Sequence, residues 1–142
     1  MAFLDLLKKG ATIGGTASSV IMISSVALKD KITYNVPAYT ASKAGINYLT
    51  TALVTEFARN KIPIHINCIV PGTFPSELGV CDEDKLNELL RACWSIARSY
   101  VCCPTAKSWN MASAAIYFAS PMSGYTNGNN LVVDGGVHLV NP

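Results

Sequence analysis

The sequence predicts an α/β fold: a partial three-layer parallel sheet of about three strands with flanking helices. Three observations carry this. First, three short apolar stretches occupy residues 20–23, 64–70 and 131–133, the first of them continuous, as expected of strands covered on both faces. Second, helical periodicity separates the runs, most clearly over residues 39–60. Third, each run ends in a breaker or polar turn: Ser24-Ser25, Pro71-Gly72 and Asp134-Gly135-Gly136. Strands that alternate with helices imply right-handed crossovers and parallel pairing.

The elements follow in order. Phe3-Leu4 and Leu6-Leu7, followed by Lys8-Lys9-Gly10, read as the last turns of a helix. Lysines suit the negative end of the helix dipole, and Gly10 suits the left-handed residue after it. No capping residue opens this helix, so the chain reads as starting inside an element, which points to truncation. Residues 12–19 are a small polar connection to the first strand, and residues 26–37 are the loop that follows it. In the helix over 39–60, Ala41, Ala44, Gly45, Tyr48, Leu49, Ala52 and Leu53 recur at three- and four-residue steps. Ala44 and Gly45 would let a neighbouring backbone approach closely. Residues 62–70 are rich in β-branched side chains. Residues 82–100 predict a helix, 102–109 a connection containing Pro104, and 110–120 another helix stopped by Pro121.

Length and composition bound the function. The 142 residues suit a single domain over 1–142, and 50% hydrophobic against 14% charged residues excludes a disordered chain. Eleven basic and nine acidic residues leave a net charge of +2 without a basic stripe, so nucleic acid is not an expected partner. No apolar run reaches the roughly 20 residues of a membrane span, and none is expected. The start lacks a signal-peptide pattern: Asp5 interrupts the apolar stretch and the lysines follow it. Five cysteines, an odd number without C-x-x-C spacing, read as reduced thiols, so the expected compartment is the cytoplasm. Neither His65 nor His138 has zinc-like spacing to them, and no metal site is expected.

Tyr39 and Lys43 stand four residues apart on the long helix, so phenol and ammonium can share one face. Alone, Y-x-x-x-K also describes a surface tyrosine beside a solvated lysine. Position makes it more specific. Ser25 closes the first strand and Pro71-Gly72 the second, and open parallel sheets bind ligands beyond the carboxyl ends of their strands.

These residues carry a family resemblance. VIMISSV at 20–26, PAYTASKAG at 37–45, INCIVPG at 66–72 and GNNLVVDGG at 128–136 occur in the order and form typical of the short-chain dehydrogenase/reductase family. The chain resembles the C-terminal half of that family's Rossmann-like domain. The resemblance implies an NAD(P)-dependent oxidoreductase that interconverts a small-molecule alcohol and a carbonyl. It implies that Tyr39 is the acid/base, that Lys43 eases its deprotonation and holds the nicotinamide ribose, and that Ser25 orients the substrate oxygen. A free phenol titrates near pH 10, and a neighbouring ammonium favours the phenolate. Backbone groups at Pro71, Gly72 and Thr73 would hold the nicotinamide amide. Ser76 stands where the family often has a threonine that approaches the cofactor. The family's pairing of helices across a dimer implies a homo-oligomer through the N-terminal helix and the Tyr39 helix.

The departures are equally specific. Nothing matches the family's T-G-x-x-x-G-x-G loop, its N-A-G segment, the residue that selects NAD or NADP, or the asparagine of its proton relay. Residues 102–111 resemble a degraded R-x-G-x-x-x-D-x-A segment, with Asn110 in place of the aspartate. The alternative expectation is therefore a catalytically inactive, truncated remnant that acts only as a dimerising or interaction protein. An α/β-hydrolase reading fails for want of a G-x-S-x-G turn.

Overall fold

The computed structural model describes residues 3–29, 36–76, 82, 84–85, 88 and 106–140. Most of the helix expected over 82–100, and Cys81, Cys93, Cys102 and Cys103, lie outside the described residues. The described elements are α1 (Leu4–Gly14), β1 (Ser18–Ile23), α2 (Pro37–Arg59), β2 (Ile64–Pro71), α3 (Ser108–Ala119), β3 (Asn130–Val133) and a short α4 (Val137–Val140). Single 3-10 turns lie at Val26–Leu28 and Pro121–Ser123.

The three strands form one sheet in the order β1-β2-β3, parallel throughout, as the sequence predicts. β2 is central, and every residue from Ile66 to Val70 is buried. Helices cover both faces. Phe57, Ile64 and Ile66 form one core, with Leu4 and Leu7 of α1, Val20 and Met22 of β1, and Leu53 and Val54 of α2 packed around it. On the opposite face Ile69, Ala114 and Phe118 gather Ile21, Leu131, Val133 and Met111. The alternation along β2 decides which residue enters which core.

Four expectations need correction. The first helix does not stop at Gly10. It runs to Gly14, and Gly15 supplies the left-handed residue at φ 66°. Gly10 lies inside the helix, where the close approach of Ser18 favours a residue without a side chain: a Cβ there would lie 3.1 Å from Ser18 Oγ. Second, within the chain no described neighbour comes close to Gly45, and most of the small-residue stripe of α2 is exposed. Ala41, Ala44, Gly45, Tyr48 and Leu49 are exposed, whereas Lys43, Ile46, Asn47, Thr50, Leu53, Val54 and Phe57 point inward. Third, the connection through Trp109 ends at Lys107. Asn110 Oδ1 accepts the Lys107 backbone N–H at 3.0 Å, and the Asn110 N–H returns to the Lys107 carbonyl at 2.9 Å, so α3 opens at Ser108. Fourth, the Asp134-Gly135-Gly136 stop is followed by α4, which sequence reading did not anticipate.

Candidate active site

The carboxyl ends of β1 and β2 sit side by side. Ile23 pairs with Ile69, so Ser25 and Pro71 each lie two residues past the same register pair. The two serines after β1 have different work. Ser24 is buried at 2% exposure; its N–H donates to the Ile69 carbonyl and its hydroxyl to the Lys43 carbonyl, both at 2.8 Å. It locks the strand end to α2. Ser25 is extended (φ −160°, ψ 149°) and its Oγ accepts the Ala27 N–H at 3.2 Å, capping the following 3-10 turn. A hydroxyl that accepts in this way still carries a proton to donate.

Pro37 opens α2 with the φ that its ring imposes, which starts the helix just before Tyr39. Lys43, one turn on, sends Nζ to the Ile23 carbonyl at 3.1 Å and sits 5.6 Å from the centre of the Tyr39 ring. The Tyr39–Lys43 pair expected from spacing is therefore one unit, and Lys43 ties it to the end of the serine-bearing strand. Thr73 and Ser76 are exposed in the segment after β2.

Beside Lys43, Cys68 is fully buried; burial pushes its thiol pKa up, against the lowering effect of the Ser24 backbone, Thr50 and the Lys43 charge. At the neighbouring strand end Gly72 donates its N–H to the Val133 carbonyl at 2.9 Å and packs on Asp134. Burial raises the Asp134 carboxyl, but backbone N–H groups of His138 and Gly136 and the His138 ring together hold it below the ordinary carboxylate value. Sequence reasoning missed this pair, although its i, i+4 spacing was a signal. It also left Asn67 without a role. That side chain is fully buried, donates to the Thr126 carbonyl at 2.8 Å and accepts the Asn129 N–H at 3.0 Å, fixing the approach to β3.

A serine-bearing strand end, a Tyr-Lys helix anchored on it and a Pro-Gly turn alongside are the parts that the motifs implied. A family model described as enoyl-(acyl carrier protein) reductase matches residues 1–138. The chain belongs to the short-chain dehydrogenase/reductase family. It is 32% identical to short-chain dehydrogenase/reductase SAT3 of Stachybotrys chartarum, covering 96% of this chain and 55% of that protein. Among solved structures, the Pseudomonas aeruginosa RhlG/NADP active-site complex is similar at TM-score 0.77 and 31% identity, over 95% of this chain and 50% of that one. An NADH-dependent reductase complexed with NAD is similar at TM-score 0.70 and 27% identity, over 94% of this chain and 46% of the other. The chain spans about half the length of SAT3 and of these solved relatives. Its short-chain dehydrogenase/reductase sheet is thus of the Rossmann type, and these two solved relatives are complexes with NAD and NADP.

The residues present fit one end of such a cofactor. Lys43 places an ammonium at the end of β1, beside the Pro71-Gly72 end of β2, where the space that a Gly72 side chain would take is filled by Asp134. The pyrophosphate end finds no match in this sequence. Gly14-Gly15 joins a helix to a strand, and the carboxyl end of a helix carries the wrong partial charge for a phosphate.

Proposed function

We propose that this chain is the catalytic half of an NAD(P)-dependent oxidoreductase acting on a small-molecule alcohol or carbonyl, with Ser25, Tyr39 and Lys43 as its catalytic residues. One observation carries the reading: Lys43 reaches the end of the serine-bearing strand while standing over Tyr39. In this reading Ser25 donates its hydroxyl proton to orient the substrate oxygen. Tyr39 gives or takes that oxygen's proton, and the Lys43 ammonium stabilises the phenolate. The bound cofactor supplies or accepts the hydride. Lys43 and Tyr39 would hold the nicotinamide ribose, and Pro71, Gly72, Thr73 and Ser76 would line the nicotinamide end. NAD and NADP are equally compatible with these residues.

The 142 residues by themselves should bind NADH or NADPH weakly and turn over little, since nothing in them cradles the pyrophosphate. Titration of the purified chain followed by nicotinamide fluorescence checks this; micromolar binding by a stable monomer would contradict it. The catalytic assignment is tested by fusing the chain to the glycine-loop half of a relative. NAD(P)H turnover should appear and should fall by about 10²–10⁴-fold in Tyr39→Phe. Turnover that survives Tyr39→Phe removes the assignment.

A second reading, a dimerising protein without catalysis, is favoured by the exposed apolar residues Phe3, Leu6 and Ile13 on α1 and Tyr48 and Leu49 on α2. The two readings are compatible in one respect: both place a homo-oligomer contact on these helices.

A further inference from the structure

The motif Asp134-Gly135-Gly136 has no part in the chemistry above, yet its aspartate is the most tightly held carboxylate among the described residues. Oδ1 accepts the Gly136 N–H at 2.9 Å, and Oδ2 accepts the His138 N–H at 2.8 Å. Oδ2 also lies 2.6 Å from His138 Nδ1. An ionised carboxylate only accepts, so the ring nitrogen is the donor. The Asp134 side chain is 4% exposed and that of His138 18%. With three bonds in place and almost no solvent, the Asp134 side chain is fixed in one rotamer.

What it is fixed against is the end of β2. A Cβ on Gly72 would lie 2.7 Å from Asp134 Cβ and 3.0 Å from its Cα. The two residues are thus in contact without clearance, and the Gly72–Val133 hydrogen bond stitches the same two strand ends together. Two backbone N–H groups already cap the Asp134 carboxylate as an ordinary turn would. The imidazole is an additional donor, supplied from four residues on.

We propose that Asp134 and His138 are positioning residues: together they form a clamp that sets where Gly72 stands at the mouth of the candidate site. The inference rests on the cofactor-end reading of Gly72 for its functional meaning, and its test is independent of that reading. Hydrogen–deuterium exchange of the 142-residue chain, resolved at Gly72, whose N–H is bonded to the Val133 carbonyl, reads the clamp without any cofactor. His138→Leu should speed exchange at Gly72 by about tenfold, the worth of one hydrogen bond to a charged group, while residues 64–69 stay protected. His138→Gln retains a side-chain N–H and should recover much of the protection; a merely space-filling role would not distinguish the two variants. Faster exchange confined to residues 135–139 would overturn the clamp. So would an unprotected Gly72 in the unaltered chain, equal behaviour of the Leu and Gln variants, or loss of protection across all of β2. NADPH titration of the same variants, fused to a glycine-loop half, then asks whether the clamp matters for the cofactor. Unchanged affinity beside altered exchange would leave the clamp standing and remove Gly72 from the cofactor site.

Discussion

Gly72 and Asp134 show how little freedom one atom has at the end of a parallel strand. Replacing Gly72 by alanine inserts a methyl where Asp134 Cβ would be 2.7 Å away, and Asp134 cannot turn aside because its carboxylate is bonded three times. Gly72→Ala should therefore destabilise the chain by about 1–3 kcal/mol, measured as a lower denaturant midpoint. A change below about 0.5 kcal/mol would mean that the two strand ends separate easily. The same carboxylate makes stability depend on acid. Its folded pKa is lowered, so the folded state binds the proton less readily than the unfolded chain does. Its contribution is complete above the unfolded value near 3.9 and is lost as pH falls through the folded value. Urea midpoints measured from about pH 6 down to pH 2 should decline, and Asp134→Asn should flatten part of that decline. An unaltered acid limb in the variant would assign the decline to other carboxylates.

At the scale of elements, each helix is held to the sheet by a few side chains. Phe118 is 1% exposed and joins α3 to Ile69, while the carbonyl of the same residue accepts from Ser19 on β1 at 2.6 Å. Truncation to alanine removes most of what α3 buries and leaves a cavity against β2. Phe118→Ala should cost about 3–5 kcal/mol, a large share of the total stability of a domain this size. Far-ultraviolet circular dichroism melts read this directly, and a shift of only a degree or two would show that α3 repacks. The polar ties follow the same economy. Ser24 and Lys43 tie α2 to the end of β1, and Asn67, in the middle of β2, ties it to the connection that leads into β3.

For the whole molecule, exposed apolar side chains lie on α1 and α2, as well as on α3 and beyond it at Tyr125 and Leu139. Ile13 is 86% and Tyr48 77% exposed, and Gly45 has open space around it. Apolar side chains beside small residues allow two helices to approach closely, which is the geometry of a helix-to-helix contact between copies. Sedimentation or light scattering should find a dimer or larger species, and Tyr48→Glu should shift it towards monomer by placing a charge in the contact. A monomer before the substitution, or an unchanged assembly after it, counts against this face. No helix among the described residues is long and apolar enough to cross a membrane.

What the sequence determined by itself was the class of fold, the three strands, the parallel sense of the sheet and the Tyr39–Lys43 pair. Each depends on short-range pattern: a short apolar stretch, a breaker after it, or an i, i+4 spacing, all of which a linear reading contains. The family followed from motifs of the same kind in the right order. Tertiary structure decided the rest. The stripe of Ala41, Ala44, Gly45 and Tyr48 looks like a packing face in sequence, but α2 turns Thr50 and Phe57 to the sheet instead. Nothing local distinguishes the two faces; only the position of β2 does. The first helix passes Gly10 because a glycine ends a helix only when the chain needs a left-handed residue there, and that need arises at Gly15, where the chain turns into β1. Ser24 and Ser25 are equivalent in sequence and become unlike when one side chain meets the Lys43 carbonyl and the other caps a turn. The Asp134 clamp needed β2 and β3 side by side before Gly72 had anything to touch, since the two residues are distant in sequence and meet only through strand pairing.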